Sequence, residues 1–483
     1  MDIISFDKQG SSIAKNAFWG FLLQALLKFK GVILLPIIVH FLSRDVLGEW
    51  RLITTTVSVL LPVLSLNLFD GSGMFFSSDV DKESVRTKYY SIFNMALCLE
   101  LVSFLLCIAV SFFYKGIEPH ILFLIYLYFA AMFNYKLGIM LLQTYQKSRF
   151  LMLVNLFAEY GGVAFSLVLL AFGVRNVTVL LIPPVVLYTL SAIFMFIRIG
   201  REIPYQRGVD RSFIRQVLPI SLSLMPVFLA EWLLMSVGVY ALDFFFGQGE
   251  VGYYSVLVSL ASLALALRAT LQFFWFSTCS NMIRSGDPQF GGFFSFVLKV
   301  YLLLIAIALI LYAGFSRELI LIMADSSYLL IEKSLFLVVA GNCLMVLSCI
   351  WNGIMYARGE GGKITLSYLV AGAVSVLLTP LLVRYFRVMG ASIAYFLANA
   401  VLLAMMVYKA GKVHLDWTSK DLRFCIGLAA TIIVTAALVF LKVDHRAVAG
   451  ICVAGLITLL ILNERFRFIP IRSLTTLLGR KPQ

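Results

Sequence analysis

The stretch GGFFSFVLKVYLLLIAIALILYAG, residues 291–314, decides what kind of protein this is: it carries a single charge, Lys299, in an otherwise almost wholly apolar run. A helix needs about 20 apolar residues to cross the hydrocarbon of a bilayer. In that medium each backbone amide must find its partner within the segment, so a run of this length reads as a membrane-spanning helix. The same pattern recurs along the chain at 14–41, 50–75, 89–114, 119–144, 150–173, 177–199, 213–242, 250–278, 330–356, 364–384, 388–409, 421–442 and 446–463. Together these runs predict about fourteen spans.

Composition leads the same way. Of 483 residues, 61% are apolar and 13% charged, against about a quarter charged in an ordinary soluble domain. The apolar surplus must face lipid. Connections are short, the longest near 200–212 and 315–329, so neither an extramembrane domain nor a catalytic platform is expected. The polar start, MDIISFDKQGSSIAKN, lacks the short apolar core and small-residue cleavage site of a cleaved signal peptide. The seven cysteines lie in or beside apolar runs without CxxC spacing, which fits small hydrophobes better than disulfides or metal ligands. No metal or cofactor is expected.

A net charge of +14 raises nucleic acid as a partner. The bases, however, are scattered in short clusters between apolar runs, which is the habit of cytoplasmic loops and not of a nucleic-acid-binding face. With an even number of spans both termini share a side, and that side holds 24 of the 39 basic residues against ten in the opposite loops. The positive-inside rule therefore predicts a multi-pass protein with both termini in the cytoplasm.

The junction Asp45-Val46-Leu47-Gly48-Glu49-Trp50 recurs 204 residues later as Gly249-Glu250-Val251-Gly252-Tyr253-Tyr254. In both places an apolar run ends, an acid and a glycine make the turn, and an aromatic opens the next run. The offset maps span 1 onto span 7 and predicts a parallel repeat: a six-helix lobe at 1–199, a cytoplasmic inter-lobe loop at 200–212, a second six-helix lobe at 213–409, and a final pair of helices with a basic tail at 410–483. Two bundles that rock around a central site are a common transporter plan.

These junctions carry a family resemblance. Leu218-Pro219-Ile220-Ser221, Glu231-Trp232-Leu233-Leu234 and Phe246-Gly247-Gln248-Gly249-Glu250-Val251-Gly252-Tyr253-Tyr254-Ser255 resemble the bacterial Wzx-type polysaccharide flippases, translocases of O-antigen and capsule repeat units. That family belongs to a larger group with the multidrug MATE exporters and the lipid II flippase. Leu35-Pro36, Leu47-Gly48-Glu49-Trp50, Leu68-Phe69-Asp70-Gly71 and Met389-Gly390-Ala391-Ser392-Ile393-Ala394 agree in order and spacing. One departure is that Gly238-Val239 stands where family members commonly carry an Asp-Arg pair, with an acid following at Asp243. The resemblance implies an all-α integral membrane transporter of the bacterial cytoplasmic (inner) membrane, and not an enzyme. It implies movement of undecaprenyl-pyrophosphate-linked oligosaccharide to the outer leaflet by alternating access without ATP, and no Walker-type glycine loop is present. It leaves polysaccharide polymerases in the same membrane, and Na⁺ or H⁺, as candidate partners beside the membrane lipids.

Charges inside the spans supply candidate site residues: the bases Lys28, Lys30, Lys136, Arg268 and Lys299. A base at mid-bilayer costs about 2.5–3.5 kcal/mol on insertion scales and marks a functional position by default. Lys299 is close enough to the cytoplasm to snorkel. Lys28 continues a stripe with Gln24 and Gly31, whereas Lys30, about 200° round the helix, sits among leucines and ranks lower. Arg268 shares a surface with Gln272 and Trp275. Lys28, Lys136, Arg268, Gln24, Gln272 and Trp275 are thus the expected substrate-binding set, because fixed cations offset the desolvation of a pyrophosphate and arginine grips its oxygens in pairs. Glu100, Glu159, Glu231 and Asp70 either neutralise these bases or couple ions. A MATE-like exporter of amphipathic compounds would call for an acid-dominated cavity. A membrane-embedded glycan polymerase or glycosyltransferase would need a catalytic constellation, which His120 and His445, in short outer loops, do not supply.

Overall fold

The computed structural model describes residues 26, 30–31, 34–76, 81–113, 119–144, 148–411, 418–440 and 450–457. Among them the chain is helical throughout its regular elements. Residues 34–41 form α1, followed by α2 (Arg44–Leu64), α3 (Lys82–Phe113), α4 (Pro119–Thr144), α5 (Ser148–Ala171), α6 (Thr178–Glu202), α7 (Arg211–Phe246) and α8 (Gln248–Ala261). Then come α9 (Ala266–Ser285), α10 (Phe290–Met323), α11 (Glu332–Ala357), α12 (Gly361–Ala410) and α13 (Ser419–Phe440). Eleven helical stretches among the described residues are long and apolar enough to cross a membrane. The all-α integral membrane class expected from the sequence is what the chain adopts.

The predicted runs meet this order with three differences. Runs 364–384 and 388–409 are joined without a loop as α12, which bends sharply at Arg387 (φ 49°, ψ −130°). Gly390 permits the bend, since a Cβ there would stand 2.1 Å from the Leu382 carbonyl oxygen. Run 50–75 is broken: α2 ends at Leu64, Leu66 and Asn67 take left-handed φ, and two single-turn helices, Leu68–Gly71 and Gly73–Phe76, complete it. Run 250–278 is interrupted by a 3₁₀ turn at Ser262–Leu265 between α8 and α9. Most of runs 14–41 and 446–463 lies outside the described residues.

Helix ends follow local chemistry. Ser43 caps α2 by accepting from the Val46 amide, with Asp45 in the first turn where the helix dipole favours an acid. Asp210 caps α7 through Oδ1, which accepts from the amides of Ser212 (2.9 Å) and Phe213 (3.2 Å) and from the Ser212 hydroxyl (2.6 Å). These bonds, the Ser212 hydroxyl foremost, hold its carboxyl below the usual aspartate range. Gly247 closes α7 at φ 80°, a conformation costly for any residue with a Cβ.

The chain divides into two compact units, 1–252 and 253–483. In the first, Phe129, Phe133, Leu137, Leu141, Ile92 and Met195 centre a core between α3, α4 and α6. The outer face of α3 is bare, with Leu101, Leu105 and Phe112 exposed. Only 11% of its most apolar stretch is buried, which suits a helix clothed in lipid. The repeat junctions also meet in this unit. A Cβ on Gly48 would lie 2.0 Å from the Gln248 carbonyl oxygen, and one on Gly252 would lie 2.2 Å from that of Arg44. Those glycines therefore serve backbone-to-backbone approach. Gly71 likewise meets Ser221, whose Oγ would stand 2.0 Å from an added Cβ.

In the second unit the most apolar stretch within 326–357, which includes α11, is 78% buried, and α9, α10 and α12 pack around that helix. The carbonyls that the 3₁₀ turn loosens find side-chain donors. Asn342 Nδ2 donates to the Ala261 carbonyl (2.9 Å), Tyr312 to that of Leu260 (2.8 Å), and Tyr395 orients Asn342 by donating to its Oδ1 (2.7 Å). A broken helix inside a bilayer needs such partners, because no water is there to supply them.

Candidate functional site

The first unit threads a belt of polar groups through its apolar helices. It begins at Glu100 of α3, whose Oε1 accepts from Asn134 Nδ2 of α4 at 2.8 Å. The next residue, Tyr135, lays its ring against Tyr188 of α6, with centroids 4.9 Å apart. Tyr188 donates its hydroxyl to Glu159 Oε1 of α5 at 2.6 Å, and Glu159 Oε2 pairs with the Lys30 ammonium. Residues 134–136 are consecutive, so about 100° apart round α4. One turn of that helix thus offers an amide to α3, an aromatic face to α6 and a base, Lys136, in a third direction.

Local features hold the belt in place. Gly161 of α5 packs against Leu187 of α6, where a Cβ would lie 3.1 Å from the leucine, and this brings Glu159 within reach of Tyr188. The next residue along, Tyr160, donates to the Leu26 carbonyl (2.6 Å), four residues before Lys30 in the sequence. Tyr188 is buried, with the rings of Tyr128 and Tyr135 beside it. The ion pair itself is part-exposed, with 31% of the Lys30 side chain and 19% of the Glu159 side chain accessible. Among the described residues Lys136, half-buried, has no ion-pair partner, and the buried Tyr135 hydroxyl has no hydrogen-bond partner.

A cavity of about 900 Å³ also opens in the first unit, between α2, α3, α4 and α7. Its walls are mostly leucine, isoleucine and aromatic, with Glu49, Asp243 and Gln248 among the lining residues and a Thr56–Tyr240 hydroxyl pair at 2.8 Å.

In the second unit Arg268 lies one turn beyond the 3₁₀ break, half-buried, with Nη1 3.6 Å from the Met345 sulfur. Trp275 has no exposed surface. Its Nε1 donates to the Ile350 carbonyl (2.9 Å), and its ring packs on Phe293 and Phe294 in a slot that Gly353 leaves open. The tryptophan expected on a binding surface is core packing in this conformation, because an indole satisfied on both its apolar and polar sides has nothing left to offer. Lys299 differs from the snorkelling base expected of it: it pairs with Asp421 of α13 at 2.8 Å, and both side chains are largely buried.

Lys30, placed below Lys28 by its position among leucines, reaches an acid across the fold. Lys28 and Gln24 lie outside the described residues, as do the side chains of Asp70 and Gln272. Glu231 is half-buried on α7. The residues missed were Tyr188, Tyr135 and Asp421. A signal existed for the tyrosines: a phenol in mid-span needs a polar partner when buried.

No family model matches the chain, and no curated protein matches it in sequence. Solved structures do match in fold. Similar to it is a lipid II flippase, MurJ, in an inward closed conformation, at 14% identity and TM-score 0.67 over 92% of this chain and 98% of that one. A multidrug resistance MATE family transporter of the MOP superfamily matches in its inward-facing conformation at 15% identity and TM-score 0.61, over 82% of this chain and 97% of that one. Its outward-facing counterpart matches at 12% identity and TM-score 0.58, over 81% and 94%. The chain shares its fold with membrane transporters and flippases.

Proposed function

We propose that this chain is a Wzx-type flippase that carries undecaprenyl-pyrophosphate-linked oligosaccharide from the cytoplasmic to the outer leaflet of the bacterial inner membrane. Its termini are cytoplasmic. Two lobes, 1–199 and 213–409, alternate about the 200–212 loop, with Na⁺ or H⁺ coupling the cycle and polysaccharide polymerases receiving the product. The observation that carries this reading is the polar belt. It sets Lys30 and Lys136 among membrane-crossing helices, in a fold shared with a lipid II flippase. Bases in hydrocarbon are costly unless they face a polar passage, and a pyrophosphate needs cations to leave water. Arg268, beside a helix break in the second unit, supplies a guanidinium that grips phosphate in a bidentate manner.

The test is surface polysaccharide in a strain that lacks this gene and any second flippase. Wild-type chain should restore it, and Lys28→Ala, Lys136→Ala and Arg268→Ala chains should restore it poorly at equal membrane abundance. Normal surface glycan in the deletion strain would refute the function, and three fully active variants would refute the site.

One observation favours a second reading, export of amphipathic cations. The 900 Å³ cavity carries the carboxylates of Glu49 and Asp243 on a mostly apolar wall, a pairing suited to a greasy cation. Tetraphenylphosphonium binding that is saturable and lost in Asp243→Asn would support it, and absence of binding to the wild type would dismiss it.

A further inference from the structure

We propose that Glu159 is an internal stand-in for the cargo's pyrophosphate: it holds the Lys30 ammonium before cargo arrives and yields it to the phosphate oxygens when the lipid-linked sugar enters. This inference rests on the lipid-pyrophosphate reading above.

Carboxylate and phosphate present the same chemistry to an ammonium, an anionic oxygen that accepts its N–H donors. The two partners of the pair are not equally free to move. Glu159 is anchored through its other oxygen, which takes the Tyr188 hydroxyl at 2.6 Å, and Tyr188 is buried beside the rings of Tyr128 and Tyr135. Lys30 is a point charge on a flexible four-carbon stem, and it keeps 31% of its side chain accessible. An entering anion therefore recruits the lysine and leaves the carboxylate in place. Beside the cluster stands the Tyr135 hydroxyl, buried and without a hydrogen-bond partner among the described residues. It is a ready donor to an added oxyanion, and an orphaned buried hydroxyl calls for such a partner.

The exchange has a cost that serves transport. Once Lys30 turns to phosphate, Glu159 retains one hydrogen bond in a poorly hydrated site, and a partly stripped carboxylate there is unfavourable. That penalty weakens cargo binding and favours re-forming the pair, so it promotes release at the far leaflet. Tight binding before translocation would slow turnover, for the same reason that uniform binding does not raise a catalytic rate. A purely neutralising pair would behave differently, because removing the acid would then leave cargo affinity unchanged.

The experiment measures binding of undecaprenyl pyrophosphate to the full chain in lipid nanodiscs, with undecaprenol and inorganic pyrophosphate as competitors, alongside a flipping rate. Glu159→Gln should bind the probe about five-fold tighter, on the order of 1 kcal/mol, and flip more slowly. Lys30→Gln should bind it more weakly, and adding Glu159→Gln to Lys30→Gln should give no further gain, since the effect passes through the lysine. Undecaprenol should not compete. Wild-type binding with Glu159→Gln unchanged or weaker, or a gain that survives in the Lys30→Gln background, would overturn the proposal alone. A wild-type chain that fails to bind the probe would overturn the substrate reading, and this inference with it. Should Glu159→Gln not fold, Glu159→Asp, which draws the carboxylate back by one methylene, decides by the same criterion: tighter binding supports the exchange and unchanged binding refutes it.

Discussion

Replacing Asp421 by asparagine takes the carboxylate away from Lys299 while keeping an oxygen in place for the helix cap. Asp421 Oδ2 accepts from the amide and hydroxyl of Thr418, both at 2.8 Å, and the Thr418 hydroxyl accepts from the Asp421 amide at 3.3 Å. This is a capping box at the start of α13, and an asparagine Oδ1 in the same place can still accept both Thr418 bonds. What it cannot preserve is the charge. The Lys299 and Asp421 side chains are 14% and 9% exposed, so the ammonium loses its counter-ion where water barely reaches. Removing one partner of a buried pair costs about 3–5 kcal/mol, whereas replacing both by apolar or neutral groups is often close to neutral. Asp421→Asn should therefore destabilise the chain by about 3 kcal/mol, and Lys299→Met with Asp421→Asn by about 1 kcal/mol or less. The assay is unfolding in detergent micelles by SDS titration, followed by tryptophan fluorescence, with flipping measured after the same variants are reconstituted into liposomes. A double variant no more stable than Asp421→Asn would refute the pairing argument. A double variant that is stable but no longer flips would place Lys299 on the cargo path.

Other consequences follow from the same geometry. Gly48→Val and Gly252→Val each push a side chain into a backbone carbonyl about 2 Å away and should each cost about 2 kcal/mol or more, read as a lowered melting temperature. Asn342→Leu strands the Ala261 carbonyl and the Tyr395 hydroxyl at the helix break and should cost about 2–3 kcal/mol in the same measurement. Asp210→Ala removes a cap whose carboxyl is held below its ordinary range by Ser212. A depressed folded pKa stabilises above the unfolded value and is lost as pH falls through the folded one. The melting-temperature gap between wild type and Asp210→Ala should therefore be full at neutral pH and close below about pH 4.

How much of this was legible in the sequence depends on the range of each interaction. Residues 291–314 announce a span because hydropathy is local and the bilayer sets a length. The echo of Asp45–Trp50 at Gly249–Tyr254 was visible as a pattern, but not that its glycines touch opposing backbone, since pattern carries no partner. Lys30 and Glu159 are 129 residues apart, and nothing in either helix points at the other. Face-counting on the first span ranks Lys30 low because a polar stripe is a local signal, whereas its ion pair with Glu159 is a tertiary one. Trp275 misled for a related reason: its spacing from Arg268 places it near the arginine's side of the helix, yet Gly353, 78 residues on, opens the slot that buries it. The kink at Arg387 replaced an expected loop because Gly390, which reads in sequence as one more small residue, allows two helical segments to meet directly.

The charge tally inside the spans changes meaning once partners are known. Five bases against three mid-span acids, Glu100, Glu159 and Glu231, with Asp70 near the inner end of its span, point to an anionic cargo when they are only counted. Two of the bases are held by carboxylates, Lys30 by Glu159 and Lys299 by Asp421, which stands at the start of α13 and outside the mid-span acids. Glu100 is spoken for by an amide. A neutral pair does not advertise a cargo's sign, so the count alone loses its force. What replaces it is position. The Lys30 pair is part-exposed, anchored on the acid's side and free on the lysine's, while the Lys299 pair is more buried and tied into a helix cap. On the exchange proposed above, the first gives up its partner and the second stays closed. An anionic cargo is favoured less by a surplus of positive charge than by a lysine whose present partner is an oxyanion that a phosphate can replace.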